Sequence, residues 1–402
     1  MQSRDRASGA DVVVVGGGIV GTAAAAFLAE AGSRVLLVER EGLASGASGA
    51  NSGVVQHPFD PVLAVLYRET VSLYRALAAE GAAFQLADEP AGMLFLSRHE
   101  PAARRVSDTL GETFPQLETA IVGGPALVRL DPAIAPDLWA CRVDIGYPVA
   151  PAASTYAYAT LAERRGVEVR LGREASLTLD GDAVTGVVVD GRVVPAGAVL
   201  VAAGPVTSAL IDPTGRWAPV RPLWGVVVEA DLPVTPRHVL EEAGIDAAIG
   251  AHPVGGGDDG QEGSAPDTSV QFSIVPQPVA SAVGSTFLAD EPDPAAWMER
   301  ILVGAARFVP GAADAPIRGT RACARPQSVD GRPLIGRVPG RRDLYVCSGH
   351  GPWGISTGPA SARLVVDLIL GREPAIPLEL DPARFGAVDG GAVDSAAATN
   401  GA

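Results

Sequence analysis

The stretch Val12–Gly21, VVVVGGGIVG, decides the fold. Asp11–Val15 is an apolar run too short for a helix and rich in β-branched residues, so it reads as a buried strand. Glycines follow at once, and the Ala-rich stretch Thr22–Ala31 then reads as a helix closed by Gly32. Arg34–Glu39, RVLLVE, is a second buried strand, completing a strand, turn, helix and strand unit. Gly16, Gly18 and Gly21 stand at the GxGxxG spacing. The first permits the turn, the second lets backbone approach a pyrophosphate, and the third lets helix and strand pack closely. The phosphates then meet unpaired helix amides and the positive end of the macrodipole, and Glu39 accepts hydrogen bonds from an adenosine ribose. This unit alone suits NAD and FAD equally.

Beyond it, Leu43–Gly53 (LASGASGANSG) is almost all small residues, cannot bury a core, and reads as a loop wrapped around something extended. Asp60 and Pro61 cap a helix with Leu63, Leu66, Thr70, Leu73, Tyr74 and Leu77 on one face, ending near Gly81. Met93–Ser97 reads as a strand within a mixed, Pro-rich region that reaches about Ala150. Thr155–Gly166 reads as a helix, Val167–Val201 as an antiparallel meander, and Gly225–Glu229 and Ser269–Val275 as strands flanking a surface loop, Gly250–Thr268. A helix over Pro294–Phe308, a strand at Leu344–Cys347, a Gly-rich turn through Gly354 and a helix over Pro359–Leu370 complete the chain. The strongest signals lie at opposite ends, which predicts a cofactor domain assembled from separated segments, 1–80, 151–215 and 321–385. A second lobe, 81–150 and 216–320, is inserted between them, and 386–402 is expected to be a disordered tail.

Composition narrows the function. The chain has 402 residues, enough for two to three domains at roughly 150 residues each. All 31 positive residues are arginines, against 46 acidic ones, so nucleic acid is a poor partner. Without lysine there is no P-loop lysine and no lysine Schiff base. Cys141, Cys323 and Cys347 are too scattered for a disulfide framework or a metal site, and the five histidines never fall at a paired-ligand spacing. No stretch approaches the roughly 18 apolar residues of a membrane span, and the polar start lacks a signal-peptide core. These features predict a cytoplasmic protein.

The small-residue loop and the late strand, turn and helix at Leu344–Leu370 favour FAD over a nicotinamide cofactor, since a second helix N-terminus aimed at a flavin would stabilise charge on reduction. With these blocks, and with LVAAG at Leu200–Gly204, CARPQSVDGRPLIG at Cys323–Gly336 and SGHGPWGISTGPASARLVVDLI at Ser348–Ile369, the chain resembles the D-amino acid oxidase superfamily, in the glycine oxidase, sarcosine oxidase and D-amino acid dehydrogenase branch. The resemblance implies an α/β, Rossmann-like FAD-binding domain with an inserted, mainly antiparallel-sheet substrate domain. It also implies an FAD held by Ile19 and Val20, Glu39 and Arg40, then Ala47, Ser48, Ser52, Gly53 and Val54, Ala175, Ala203 and Gly204. Near the flavin lies the turn of His350, Gly351, Pro352, Trp353, Gly354, Ile355 and Ser356.

Arg325 falls where such enzymes bind the substrate carboxylate, a task suited to a planar guanidinium. The implied reaction moves hydride from Cα to flavin N5, and the imine then hydrolyses to an oxo acid. Pro352 replaces a second substrate-contacting Arg, and the oxygen-activating Lys of sarcosine oxidases has no counterpart, which leaves substrate and electron acceptor open. The partners expected are a small carboxylate-bearing substrate and either an electron acceptor or a second copy of the chain. Cys323 lies near the position of covalent flavin attachment in monomeric sarcosine oxidases, but a small buried residue is the plainer reading. His350 is assigned to a flavin carbonyl, to substrate, or to acid–base work. His57 lines or ends the cleft, and His99, His238 and His252 read as loop or surface residues. Because Asn51–Val54 also resembles 2-hydroxyglutarate and glycerol phosphate dehydrogenases, oxidation of a 2-hydroxy acid or polyol phosphate stands as an alternative. An electron-transfer subunit of a larger dehydrogenase is another.

Overall fold

The computed structural model describes residues 9–81, 83–244 and 270–388. Its first sheet runs in the order Leu334–Arg337, Leu344–Ser348, Arg192–Val201, Ala10–Val15, Val35–Glu39, Glu168–Leu171. The four pairings from Leu344–Ser348 to Glu168–Leu171 are parallel. Val12 and Val14 pack into one core and Val13 and Val15 into another, so both faces are covered. That explains why the strand is a continuous apolar run, with each buried Val contributing about 1.5–3 kcal/mol. The following helix, Ile19–Glu30, is almost wholly buried between helices Ala153–Arg164 and Gly354–Ile369. Its alanines, Ala23–Ala26, allow that close approach.

The second sheet runs Ile317–Ser328, Val220–Ala230, Ser281–Thr286, Val270–Val275, Val239–Glu242, Met93–Ser97, Trp139–Val143, Thr119–Gly123. It is antiparallel except where Val239–Glu242 meets Met93–Ser97. Helix Ala295–Ala306 covers one face, packing Ile301, Leu302 and Ala305 on Val226, Val228, Leu240, Ile274 and Val283. Strand periodicity then turns Val227, Ser273 and Glu241 to the opposite face.

Several expectations are refined. Of the proposed meander, only Ala175–Asp180, Ala183–Val189 and the start of Arg192–Val201 are antiparallel, whereas Glu168–Leu171 becomes the parallel edge of the first sheet. The wrapping loop contains one helical turn, Ala47–Ala50. The last helix starts at Gly354 rather than Pro359 and carries that proline inside it. Proline has no amide to give the Ile355 carbonyl, and the Tyr74 hydroxyl donates to that carbonyl instead, at 2.8 Å. Asp60 caps Pro61–Ala79 as expected, accepting from Val62 N and Leu63 N. Of the residues expected in the tail, Gly386 and Ala387 are exposed but Gly386 O accepts from the Trp217 indole, and Val388 is buried. The remainder of the tail and the loop Gly250–Thr268 with His252 lie outside the described residues.

Candidate functional site

The first strand delivers the chain to the edge of its sheet, where Gly16 turns it with φ +119°. A Cβ there would stand 2.3 Å from Ala202 O on the neighbouring strand, and one at Gly21 would stand 1.9 Å from Gly16 O. Gly21 therefore lies behind the turn as a packing residue and does not line the cleft. Gly18 precedes the helix Ile19–Glu30 without a capping side chain, and the first turn holds no acid, so the helix end presents backbone. Ile19 N donates to Ser48 Oγ at 3.0 Å, which pins the wrapping loop across this end. Glu39 accepts from Gly17 N at 2.6 Å and from Glu41 N at 2.8 Å, placing its carboxylate at the rim of the glycine turn.

The wrapping loop is held from both sides. Ala44 N donates to Gly17 O, and the Asn51 side chain donates to Ala47 O and Ser48 O while accepting from Gly53 N. Arg321 of the second sheet donates to Asn51 O, and Gln277, just beyond strand Val270–Val275, donates to Gly53 O and Val149 O. Gly53, with φ +82° and Val149 O 2.4 Å from where a Cβ would be, is a crossing point of two chain segments outside the cleft lining.

Between the two sheets lies a cleft of about 800 Å³. Gly16, Gly18, Ile19 and Val20 line one end with Glu39 and Arg40, and Ala47, Ser48, Ser52 and Val54 come from the loop. Ala175, Ala203 and Gly204 line it as well, and His350–Ser356 and Arg325 line the far part. The structure thus brings together every residue expected in the site except Gly21 and Gly53. The side-chain-free glycine turn, the open helix end and the length of the cleft fit an extended dinucleotide.

The far part is built from side chains. Arg325 donates to Thr286 O at 2.9 Å and Ser285 Oγ at 2.6 Å, and its guanidinium lies 4.6 Å over the Phe287 ring. It occupies the space above Gly225, where any Cβ would collide with it. Removal from water pushes its pKa down, and among the described residues no carboxylate pairs with it, so it is arranged to receive an anion. His350 is buried, its Nε2 has no hydrogen-bond partner among the described residues, and burial lowers its pKa to about 4. It is neutral across the physiological range. Cys323 and Cys347 line the same region, and burial raises both thiols.

Two histidines are buried away from the cleft lining. His57 does not line the cleft: it packs against Phe59, Tyr67 and Phe114, and burial, then Arg68, lower its pKa to about 4. His238 is not a surface residue, since it is buried with Nδ1 3.0 Å from the fully buried Asp131. His99 is exposed ahead of helix Glu100–Thr113. Gln56, Trp224, Glu241, Ser273, Ser285 and Phe287 also line the cleft and had no motif to announce them. A buried Glu within an apolar strand was the one available signal, and it becomes visible only once the strand's two faces are known.

The family model described as "FAD dependent oxidoreductase" (DAO) matches residues 11–368. The chain is 29% identical to glycine oxidase of Pseudomonas aeruginosa, covering 93% of this chain and 97% of that one. It is 28% identical to glycine oxidase of Geobacillus kaustophilus, covering 92% and 95%. The crystal structure of the latter superimposes with a TM-score of 0.76 at 25% identity, over 95% of this chain and 99% of that chain. In fold alone, iminodiacetate oxidase from Chelativorans sp. BNC1 is also similar, with a TM-score of 0.75 at 23% identity over 92% and 98%. With the family match spanning nearly every described residue and the glycine turn, wrapping loop and far turn meeting in one cleft, the chain belongs to the D-amino acid oxidase family of FAD-dependent oxidoreductases.

Proposed function

We propose that this enzyme oxidises the C–N bond of a small primary or secondary amino acid, releasing an imine that hydrolyses to an oxo acid. The carrying observation is Arg325, a guanidinium held over the cleft by Ser285, Thr286 and Phe287 with no carboxylate partner among the described residues. When bound, FAD supplies the two-electron acceptor. The protein's own contribution is orientation: Arg325 takes the substrate carboxylate through parallel charge-assisted hydrogen bonds and so fixes where Cα stands. The glycine turn, Ser48 and Glu39 hold the dinucleotide end, while His350–Ser356 back the reacting end.

His350 favours amine over alcohol oxidation. An imidazole whose pKa burial lowers to about 4 is a weak base for a hydroxyl proton, whereas a neutral amine has no such proton to remove before Cα gives up hydride. The likeness to the glycine oxidases supports the same reading. No described helix is long and apolar enough to cross a membrane, and the three cysteines are free, which supports placing the enzyme in the cytoplasm. Anaerobic mixing of the yellow holoenzyme with amino acids, N-alkyl amino acids and 2-hydroxy acids tests the reaction. Flavin bleaching with release of ammonia or amine is expected, and bleaching by hydroxy acids alone overturns it.

A further inference from the structure

Arg325 reaches its partners by crossing a strand. In the second sheet Val220–Ala230 runs between Ile317–Ser328, which carries Arg325, and Ser281–Thr286, which carries Ser285 and Thr286. Because Arg325 donates to both of those residues, its side chain passes over the middle strand, in a sheet where the outer two lie about 10 Å apart. The crossing point is Gly225. It pairs with Cys323, so Arg325, two residues further on, is its diagonal neighbour on the same face. That face belongs to the cleft, since Val226 and Val228 pack beneath helix Ala295–Ala306 while Gly225 and Val227 line the cleft.

A glycine inside an 11-residue strand weakens it, because it packs nothing and loses more backbone freedom than any other residue. The common reasons for one are missing here. The pairing with Ile317–Ser328 runs in unbroken register from Val220 to Glu229, so no bulge requires it. Its φ lies outside the left-handed region, so no turn requires it either. What a Cβ would meet is the guanidinium: the nearest atoms are Arg325 Nη2, Cζ and Nη1, at 2.2–2.4 Å. Ordinary contact begins at 3.4 Å, so Arg325 would have to lift by about 1 Å. A displacement of about that size in a substrate-positioning group can lower the rate roughly a hundred-fold.

Resting on the C–N oxidation reading above, in which Arg325 takes the substrate carboxylate, we propose that Gly225 is a positioning residue for that reaction. Its missing side chain is the saddle in which Arg325 lies, and it sets the height of the carboxylate site above the sheet. Ser285 closes the saddle at its far side, its Oγ accepting from Nη2 at 2.6 Å.

Two measurements on the holoenzyme test this. The first reads binding through perturbation of the visible flavin spectrum by pentanoate and by pentanamide, which match in shape and differ in charge. The unmodified enzyme is expected to bind the carboxylate at least about tenfold more tightly. That preference should fall to near one in Gly225→Ala, as in Arg325→Ala, and by about threefold in Ser285→Ala, with flavin content unchanged in all three. The second is a double-mutant cycle on Tm. Gly225→Ala should lower Tm in the parent and have little effect in Arg325→Ala, where the space that its methyl needs has been vacated. A merely structural glycine would cost the same in both backgrounds.

A carboxylate preference that survives Gly225→Ala overturns the proposal, as does an equal loss of Tm with and without the Arg325 side chain. Should Gly225→Ala fail to fold, the double variant decides: folded and yellow supports the saddle, unfolded overturns it. A parent enzyme without preference for the carboxylate overturns both Arg325 as the carboxylate site and the role of Gly225. Failure of every amino acid to bleach the flavin overturns the oxidation reading alone, because neither probe carries an α-amine.

Discussion

The two ends of the cleft are built differently. At the glycine-turn end the working groups are backbone, contributed by consecutive residues Gly16–Val20, with Glu39 and Ser48 close behind in the chain. At the far end they are side chains drawn from Gln56, Glu241, Ser285, Arg325 and His350, spread over nearly three hundred residues, three of them on the second sheet and two on connecting segments. A cofactor shared by many enzymes can be gripped by local geometry that tolerates no side chain. Choice of substrate needs functional groups at set separations, and only a folded framework fixes those.

Breaking the first end should have the largest effect. Gly16→Ala places a methyl 2.3 Å from Ala202 O at φ +119°, so neither side-chain motion nor a small shift relieves it. We expect a loss of about 3 kcal/mol or more, read as a lowered Tm, and little yellow colour in the purified protein. Normal flavin content would show that the turn is more pliable than its contacts imply.

At the other end, Arg325→Ala should leave the flavin bound while KM rises by about a hundred-fold, since the group lost contacts substrate and not the glycine turn. An unchanged KM would remove Arg325 from substrate binding. The contrast between these two variants, colourless against yellow but unsaturable, is the sharpest expression of the division.

A smaller effect probes the packing between the two ends. His57 and His350 are buried and neutral, with pKa values lowered to about 4 against 6.5 for an unfolded histidine. The unfolded chain therefore binds more protons between pH 6.5 and 4. Stability is full above pH 6.5 and falls as pH drops toward 4, by roughly 1 kcal/mol or more from each group. The Tm difference between pH 7 and pH 5 should shrink in His57→Phe, whose ring suits the surrounding Phe59, Tyr67 and Phe114. A pH dependence identical to the parent's would mean that His57 is not neutral in the native state.

Much of this was legible in the residues themselves. The glycine spacing, the acid ending the second strand and the Asp60–Pro61 cap are local features, governed by φ, ψ and hydrogen bonds within a few residues. What misled was equally physical. Pro359 reads as a helix start, yet the helix passes through it because Tyr74, far back in the chain, satisfies the Ile355 carbonyl. His238 lies among polar and proline residues that suggest a surface loop, yet Asp131, 107 residues earlier, holds it in the interior.

The residues alone determined the dinucleotide turn, the helices and strands that build it and the exclusion of lysine chemistry, because backbone conformation and composition need no distant partner. Only the tertiary structure decided that Glu241 and Arg325, remote in the chain, line the same cleft from one sheet, and that His57 is core rather than site. Those facts depend on which face of a strand meets which neighbour, and strand pairing between remote segments is settled by the burial of the whole chain.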